Sequence, residues 1–160
     1  MPRVESSATL PVDAASAFAL SQSQQEVRYR WDPFVIRQEL LDGAERPDKG
    51  VRTLTRSRHR LTMVSEYTSF RPPNQVGMRM VEGPWFFRTF GGGWSFADLG
   101  DGTCEATWRY TFSTSVGPFS KLADRIGLWF LGRDIERRLA GFARGCADPE
   151  LIQQAKLQLG

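Results

Sequence analysis

Hydrophobic and polar residues alternate along much of the chain between residues 35 and 112, and this period of two predicts β-strands. The clearest alternation is at 104–112, where every second residue from Cys104 to Phe112 is apolar and the residues between them are Glu, Thr or Arg. Further strands are predicted at 4–12, 35–41, 51–60, 61–70, 76–81 and around 94–96. Gly, Pro, Asn and Asp between these segments are typical of turns.

Two short helices are predicted after the first strand. Asp13 is placed to cap a helix over 14–20, because its side chain can accept hydrogen bonds from the first free backbone N–H groups. Ser23 and Glu26 have the spacing of a capping box, which predicts a second helix. Asp32-Pro33 would end that helix, since the residue before a proline disfavours helical geometry.

A long helical segment opens at Pro118 and runs to about residue 144, where Gly145 and Pro149 follow it. The order of elements predicts an α+β fold in which this helix covers the apolar face of a curved antiparallel sheet. This is the helix-grip arrangement, and it leaves space for a cavity between sheet and helix. At 160 residues we expect a single domain over 1–148 and a C-terminal tail over 149–160.

The apolar residues of the last helix do not share one face. At about 100° per residue, one stripe is expected to face the sheet and a second stripe lies opposite it. The first is Leu128, Leu131, Ile135, Leu139 and Phe142, and the second is Phe119, Leu122, Ile126 and Phe130. We favour a break in the helix near Gly127 and Gly132. The alternative is an exposed apolar surface beside Arg133, Arg137 and Arg144, suited to a membrane surface or a protein partner.

The segment 85–96 contains six large aromatic residues and the run Gly91-Gly92-Gly93. Glycine within a strand often marks a bulge or a sharp bend. We therefore expect the sheet to bend here around the last helix, with the aromatic side chains lining the pocket that results.

Several motifs resemble the polyketide cyclase/dehydrase and lipid-transport superfamily, also called SRPBCC or START-like. They are Gly83-Pro84-Trp85-Phe86, Gly93-Trp94-Ser95-Phe96 and Asp101-Gly102-Thr103-Cys104, preceded by Tyr67-Thr68-Ser69-Phe70-Arg71-Pro72-Pro73, Trp31-Asp32-Pro33-Phe34 and Pro11-Val12-Asp13. The chain is most similar to the branch of coenzyme-Q-binding proteins and ribosome-association toxins. It departs from that branch at Trp85-Phe86-Phe87, where one aromatic is expected, and in having three consecutive glycines. The resemblance covers nearly the whole chain and implies a START-like helix-grip fold.

The resemblance also implies binding or carriage of a hydrophobic small molecule, such as a lipid, a quinone or a polyketide-like molecule. No cofactor is expected. Ligand pockets are mostly apolar, with a few polar groups that orient the ligand. The residues predicted to line the pocket are Trp31, Phe34, Tyr67, Met78, Met80, Phe87, Trp94, Phe96, Trp108, Tyr110, Phe112, Leu128, Leu131 and Ile135. The competing interpretation is that these side chains fill a solid core.

Candidate catalytic residues are few. His59 is the only histidine, so no metal site is predicted, and its place between two arginines in a predicted strand favours a solvated side chain. Glu66, Tyr67 and Arg88 are the other candidates for a polyketide-type aromatase/cyclase, which is the second hypothesis. Glu66 and Tyr67 lie on opposite faces of their strand. The third hypothesis is a toxin-like interaction protein that acts on a ribosome or another partner through its basic last helix.

Net charge and cysteine content bear on the partner class and on the cellular compartment. The net charge is +3 and the basic residues are dispersed, which argues against a nucleic-acid partner. Cys104 and Cys146 lack CxxC spacing or a nearby histidine, so both are predicted to be inert. No secretory signal is recognised, and we expect a reducing, cytoplasmic compartment. No uninterrupted apolar run of about eighteen residues occurs, so no membrane span is expected.

Overall fold

A computed structural model describes residues 1–160 and shows seven strands and four α-helices. The strands are β1 (Arg3–Leu10), β2 (Val35–Leu40), β3 (Arg52–Ser57), β4 (Thr62–Arg71), β5 (Gln75–Glu82), β6 (Phe87–Asp98) and β7 (Cys104–Thr114). The helices are α1 (Ala14–Ser21), α2 (Gln25–Trp31), α3 (Ser120–Cys146), which a short 3-10 turn (Gly117–Phe119) precedes, and α4 (Pro149–Leu159).

The seven strands form one antiparallel sheet in the order β1-β7-β6-β5-β4-β3-β2. Helices α1 and α2 connect its two edge strands. Helix α3 packs on the inner face through Ile135, Leu139 and Phe142, whose side chains are buried. The Phe142 ring lies 4.6 Å from that of Trp94 on β6 and 5.0 Å from that of Trp31 on α2. The predicted α+β helix-grip fold is confirmed.

Helix α3 is continuous, so the break that the sequence favoured near Gly127 and Gly132 is wrong. Gly127 instead allows the helix to approach β7 closely, because a Cβ atom at this position would lie 2.7 Å from the ring of Phe112. The exposed apolar surface, which the sequence left as the alternative, is observed: Phe119, Leu122 and Ile126 remain exposed to solvent.

The three glycines of β6, where the sequence predicts a bend of the sheet, do not form a bulge. Gly91, Gly92 and Gly93 pair in regular register with both β5 and β7, and the register of β6 shifts only near Phe87. Their role is close approach between strands. A Cβ atom on Gly92 would overlap the carbonyl oxygen of Arg109, and one on Gly93 would overlap that of Val76.

Of the two helix caps predicted for α1 and α2, one is confirmed and one is wrong. Asp13 caps α1 as predicted, since its carboxylate accepts a hydrogen bond from the backbone N–H of Ser16 at 2.8 Å. The capping box at Ser23 and Glu26 is wrong. Ser23 Oγ donates to the carbonyl of Leu20 at 2.6 Å and accepts from the indole N–H of Trp31 at 3.0 Å, and α2 begins without a side-chain cap.

Two further segments differ from the prediction. His59 lies in the turn between β3 and β4 and not within a strand. Residues 149–160, set apart as a tail in the sequence analysis, form α4, which packs against α1 and buries Leu151, Ile152 and Ala155. Its first turn is capped by Asp148, which accepts from the N–H of Glu150 at 3.1 Å. No helix of the structure is both long and apolar enough to cross a membrane.

Candidate ligand cavity

A cavity of about 500 Å³ lies between the inner face of the sheet and α3. Half of the 36 residues that line it are hydrophobic. Nine of the predicted pocket residues are among them: Phe34, Tyr67, Met78, Met80, Phe87, Trp94, Trp108, Tyr110 and Leu131. The aromatic face of β5, β6 and β7 therefore borders open space, and it does not fill the core completely.

The other five predicted residues do not line the cavity. Trp31, Phe96, Phe112 and Ile135 are buried in the core below it. The indole of Trp31, for example, is held by Ser23 and packed on Phe142, and this places it behind the cavity wall. Leu128 is 37% exposed and is absent from the cavity wall, although it shares a helical face with the buried Ile135.

The sequence missed the wall formed by β3, β4 and the first half of α3. Met63 and Ser65 line this side of the cavity, and Ala123 faces it from α3. Four residues both line the cavity and are exposed to solvent: Ile126 and Phe130 on α3, and His59 and Leu61 on the β3–β4 turn. These four residues mark its mouth.

Three buried charged residues form a cluster at the cavity wall. Arg28 Nε donates to Asp32 Oδ2 at 3.0 Å, and Arg28 Nη1 donates to the carbonyl of Ser21 at 2.7 Å. Arg138 reaches the same carboxylate from α3, with Nε at 3.1 Å from Oδ1 and Nη2 at 2.8 Å from Oδ2. One carboxylate thus serves two guanidinium groups, and each oxygen is engaged.

The cluster is enclosed by aromatic rings and a phenol. The Arg138 guanidinium lies 4.5 Å from the ring centre of Phe34 and 4.3 Å from that of Trp108, and it donates to the hydroxyl of Tyr110. Cation–π contacts of this kind are strongest where water is excluded. Nearby, the Tyr67 hydroxyl donates to Gln22 Oε1 at 2.9 Å.

Burial and these partners set the protonation states in the cavity wall. Burial alone would raise the pKa of Asp32, but Arg138 and Arg28 outweigh it and the pKa is lowered, so the group stays ionised. Burial raises the pKa of Tyr67 and of Tyr110 to about 12. Both phenols are therefore neutral hydrogen-bond donors at neutral pH, and neither is a base.

A sequence signal for this cluster existed but was weak. Arg28 and Asp32 are four residues apart, which is the spacing of a helical ion pair. Arg138 lies about 20° from Leu131 on the helical wheel, so a charged residue interrupts the side of α3 that faces the sheet. Both residue types are usually exposed, and the partner of Arg138 is 106 residues away in sequence.

Two buried oxygens at the cavity have no hydrogen-bond partner. They are Gln38 Oε1 on β2 and Asp134 Oδ2 on α3, and both residues line the cavity. The other carboxylate oxygen of Asp134, Oδ1, accepts a hydrogen bond from Arg58 at 3.5 Å, whereas His59 Nε2 lies 3.9 Å from Oδ2. A buried acceptor without a donor is costly, by about 1–3 kcal/mol. A ligand with a hydrogen-bond donor group could satisfy either oxygen.

The candidate catalytic residues are scattered. Glu66 points outward and pairs with Arg79 at 3.4 Å, and Arg88 is exposed. Tyr67 and His59 do line the cavity, and His59 Nε2 lies 3.9 Å from Asp134 Oδ2. The four residues are therefore not one catalytic group.

Both cysteines are buried and unpaired. Burial raises the pKa of Cys104 to about 11 and that of Cys146 to about 12, so both remain neutral thiols at neutral pH. A neutral thiol is a poor nucleophile. Neither residue lines the cavity.

A helix-grip sheet with a cavity under its long helix defines the START-like class, and solved structures share this fold. A START superfamily protein from Mycobacterium smegmatis has a TM-score of 0.69 at 12% identity, over 90% of this chain and 98% of that one. The Zhui aromatase/cyclase from Streptomyces sp. has a TM-score of 0.73 at 13% identity, over 99% and 95%. The protein XoxI from Bacillus cereus has a TM-score of 0.74 at 12% identity, over 94% of this chain and 99% of that one.

The sequence identifies the family within this class. Residues 1–146 match the family described as polyketide cyclase / dehydrase and lipid transport, and the chain belongs to that family. No curated protein sequence matches it. The predicted membership of the SRPBCC or START-like superfamily is confirmed.

Proposed function

We propose that this protein binds or carries a hydrophobic small molecule, such as a lipid, a quinone or a polyketide-like molecule, in the cavity under α3. The observation that carries the proposal is the cavity itself, about 500 Å³ between an aromatic sheet face and the helix. That volume is typical of sites for small organic molecules. Burying roughly 300 Å² of apolar ligand surface would supply roughly 7 kcal/mol before the entropic cost of binding.

The polar groups of the cavity narrow the chemistry of the ligand. The apolar body would pack on Met78, Met80 and Phe87, which line the cavity. Gln38 Oε1 and Asp134 Oδ2 are acceptors, so we expect the ligand to carry hydroxyl or amine hydrogens that reach them. A pure hydrocarbon would leave both oxygens unpaired, and we expect it to bind less tightly than a hydroxylated molecule of the same size.

The first experiment is native mass spectrometry of the protein as purified, followed by extraction into organic solvent and identification of any molecule released. A released amphipathic molecule supports the proposal and identifies its chemical class. A protein that carries nothing, and that also fails to take up N-phenyl-1-naphthylamine with an increase in dye fluorescence, would contradict it.

A matched pair of variants tests whether that molecule occupies this cavity. Ala123→Trp places a large ring in the cavity, because Ala123 lines it from α3. We expect dye uptake and bound ligand to fall at least about fivefold, since the added ring takes much of the available space. Ala140→Trp is the control, because Ala140 is exposed on the same helix. Equal dye uptake by the two variants would locate binding elsewhere.

An aromatase/cyclase activity is the second candidate. The observation that favours it is the proximity of His59 and Asp134 at the mouth of the cavity, since a histidine held beside a carboxylate can serve as a general acid or base. Turnover of a polyketide-like molecule incubated with the protein would appear as the loss of one water on aromatisation, or as a changed chromatographic retention time at constant mass on cyclisation alone. An unchanged mass together with an unchanged retention time favours a carrier.

A further inference from the structure

The first half of α3 and the residue before it carry apolar side chains that are largely exposed to solvent along one side of the helix. We call this set of residues the α3 apolar stripe: Phe119, Leu122, Ile126, Trp129 and Phe130. Each is between 43% and 68% exposed. At about 100° per residue they fall within a sector about 100° wide, which makes them one continuous strip along the helix. Exposed apolar residues scattered singly need no explanation, but a continuous strip marks an interaction surface.

Basic side chains continue the same strip toward the middle of the helix. Arg133 and Arg137 lie in the same sector, and Lys121 and Arg125 flank it. All four are exposed. Arg133 stacks on the ring of Trp129, with its guanidinium 5.1 Å from the ring centre.

Few acidic groups oppose these cations. Glu136 is the one exposed acidic residue between residues 119 and 137. Asp124 is half-buried and accepts from the hydroxyl of Thr114 at 2.8 Å, and Asp134 is buried. Across the mouth, the β3–β4 turn adds exposed Arg58 and Arg60. The surface therefore combines an apolar strip with an excess of positive charge.

The strip borders the mouth of the cavity. Ile126 and Phe130 belong to both, because each lines the cavity and is exposed. On the β5–β6 connection Trp85 is 78% exposed, and it packs edge-on against Phe86, which also lines the cavity, at 5.8 Å between ring centres. Exposed aromatic residues from two separate elements thus lie near the opening.

We propose that this surface docks on an anionic lipid membrane, with the α3 apolar stripe at the level of the head groups and the arginines against lipid phosphates. Amphipathic helices with apolar aromatic and aliphatic side chains on one face and Arg or Lys beside them bind membranes in this way. A second copy of the chain would bring the same arginines against each other. A nucleic acid would leave the aliphatic Leu122 without a partner. The proposal goes beyond ligand binding, since it holds whichever molecule occupies the cavity.

Vesicle co-sedimentation with the full chain tests it directly. We expect the protein to sediment with vesicles of phosphatidylcholine and phosphatidylglycerol at 3:1 in 0.15 M NaCl. Binding should fall at least about tenfold on pure phosphatidylcholine or in 0.5 M NaCl, because charge attraction is screened. No sedimentation with the anionic vesicles, or equal binding to both vesicle types, would overturn the proposal.

Two variants separate the apolar and the charged contributions to vesicle binding. Phe119→Ser/Leu122→Ser/Trp129→Ser changes stripe residues that do not line the cavity, and Arg133→Glu/Arg137→Glu reverses the charge. Each should weaken binding to the anionic vesicles at least about tenfold. The controls Leu157→Ser on α4 and Arg46→Glu on the β2–β3 loop change equally exposed residue types elsewhere and should bind as the unmodified chain does.

Two outcomes would overturn the proposal at this stage. One is unchanged vesicle binding by the triple serine variant. The other is a dimer in sedimentation velocity that the triple variant converts to a monomer, which would make the stripe an interface between copies. Uptake of N-phenyl-1-naphthylamine by the same variants measures ligand binding in the cavity, separately from membrane binding. Failure of membrane docking would change only co-sedimentation, and failure of ligand binding would change only dye uptake.

Discussion

At the scale of single residues, Asp32 connects three elements of the fold. It follows α2, it accepts from Arg28 on that helix, and it accepts from Arg138 on α3. Arg138 in turn donates to Tyr110 on β7. Because all four groups are buried, each depends on the others to replace the water that it lost on folding. Removal of the one carboxylate would leave two buried guanidinium groups without a counter-ion.

We therefore expect Asp32→Asn to lower the free energy of unfolding by about 3–5 kcal/mol, as measured by urea denaturation. The control is Glu66→Gln, which removes a carboxylate from the outward pair with Arg79 and should leave the urea midpoint unchanged. A loss below about 1 kcal/mol for Asp32→Asn would mean that the cluster adds little to stability.

At the scale of elements, β6 depends on glycine for its close approach to both neighbouring strands. Gly92 is close to the backbone of β7, and Gly93 is close to the backbone of β5. Backbone atoms of a paired strand cannot move aside as a flexible side chain can. The glycines weaken β6 as an isolated strand, by roughly 0.5–1 kcal/mol each, but they allow its aromatic residues to face the cavity in regular register.

Gly93→Ala should accordingly destabilise the protein by about 2–4 kcal/mol, in the upper part of the range for single substitutions. The matched control is Gly132→Ala within α3, where the nearest atom to the added Cβ is a Val4 methyl at 4.0 Å. That change should be neutral or stabilising by up to about 1 kcal/mol, because alanine favours helix. Equal effects of the two substitutions on the urea midpoint would refute the close-approach role.

At the scale of the whole molecule, the core holds four weakly acidic groups in their neutral forms. Burial raises the pKa of Cys104 to about 11, and of Cys146, Tyr67 and Tyr110 to about 12. In the unfolded chain a thiol ionises near about 8.5 and a phenol near about 10. The unfolded chain therefore releases protons at a pH where the folded protein still holds them.

Stability should consequently fall as the pH rises above about 9, since the unfolded state then binds fewer protons than the native state. Urea denaturation at pH 8, 9, 10 and 10.5 under reducing conditions measures this fall. Cys146→Ala removes one of the four groups and should make the decline shallower, whatever its effect at pH 8. A free energy of unfolding that stays constant up to pH 10.5 would be inconsistent with these buried groups.

The sequence by itself determined the order of the elements as far as α3, the cap at Asp13, the aromatic face of the sheet and the helix-grip class. These depend on local periodicity and turn chemistry, which short segments contain. The tertiary structure alone decided three other features. Helix α3 runs through Gly127 because a ring on β7 fills the space beside it. Arg138 is buried because Asp32, far away in the chain, is folded against it. The aromatic residues border a cavity, and do not fill it, because the width of the gap depends on how distant elements pack.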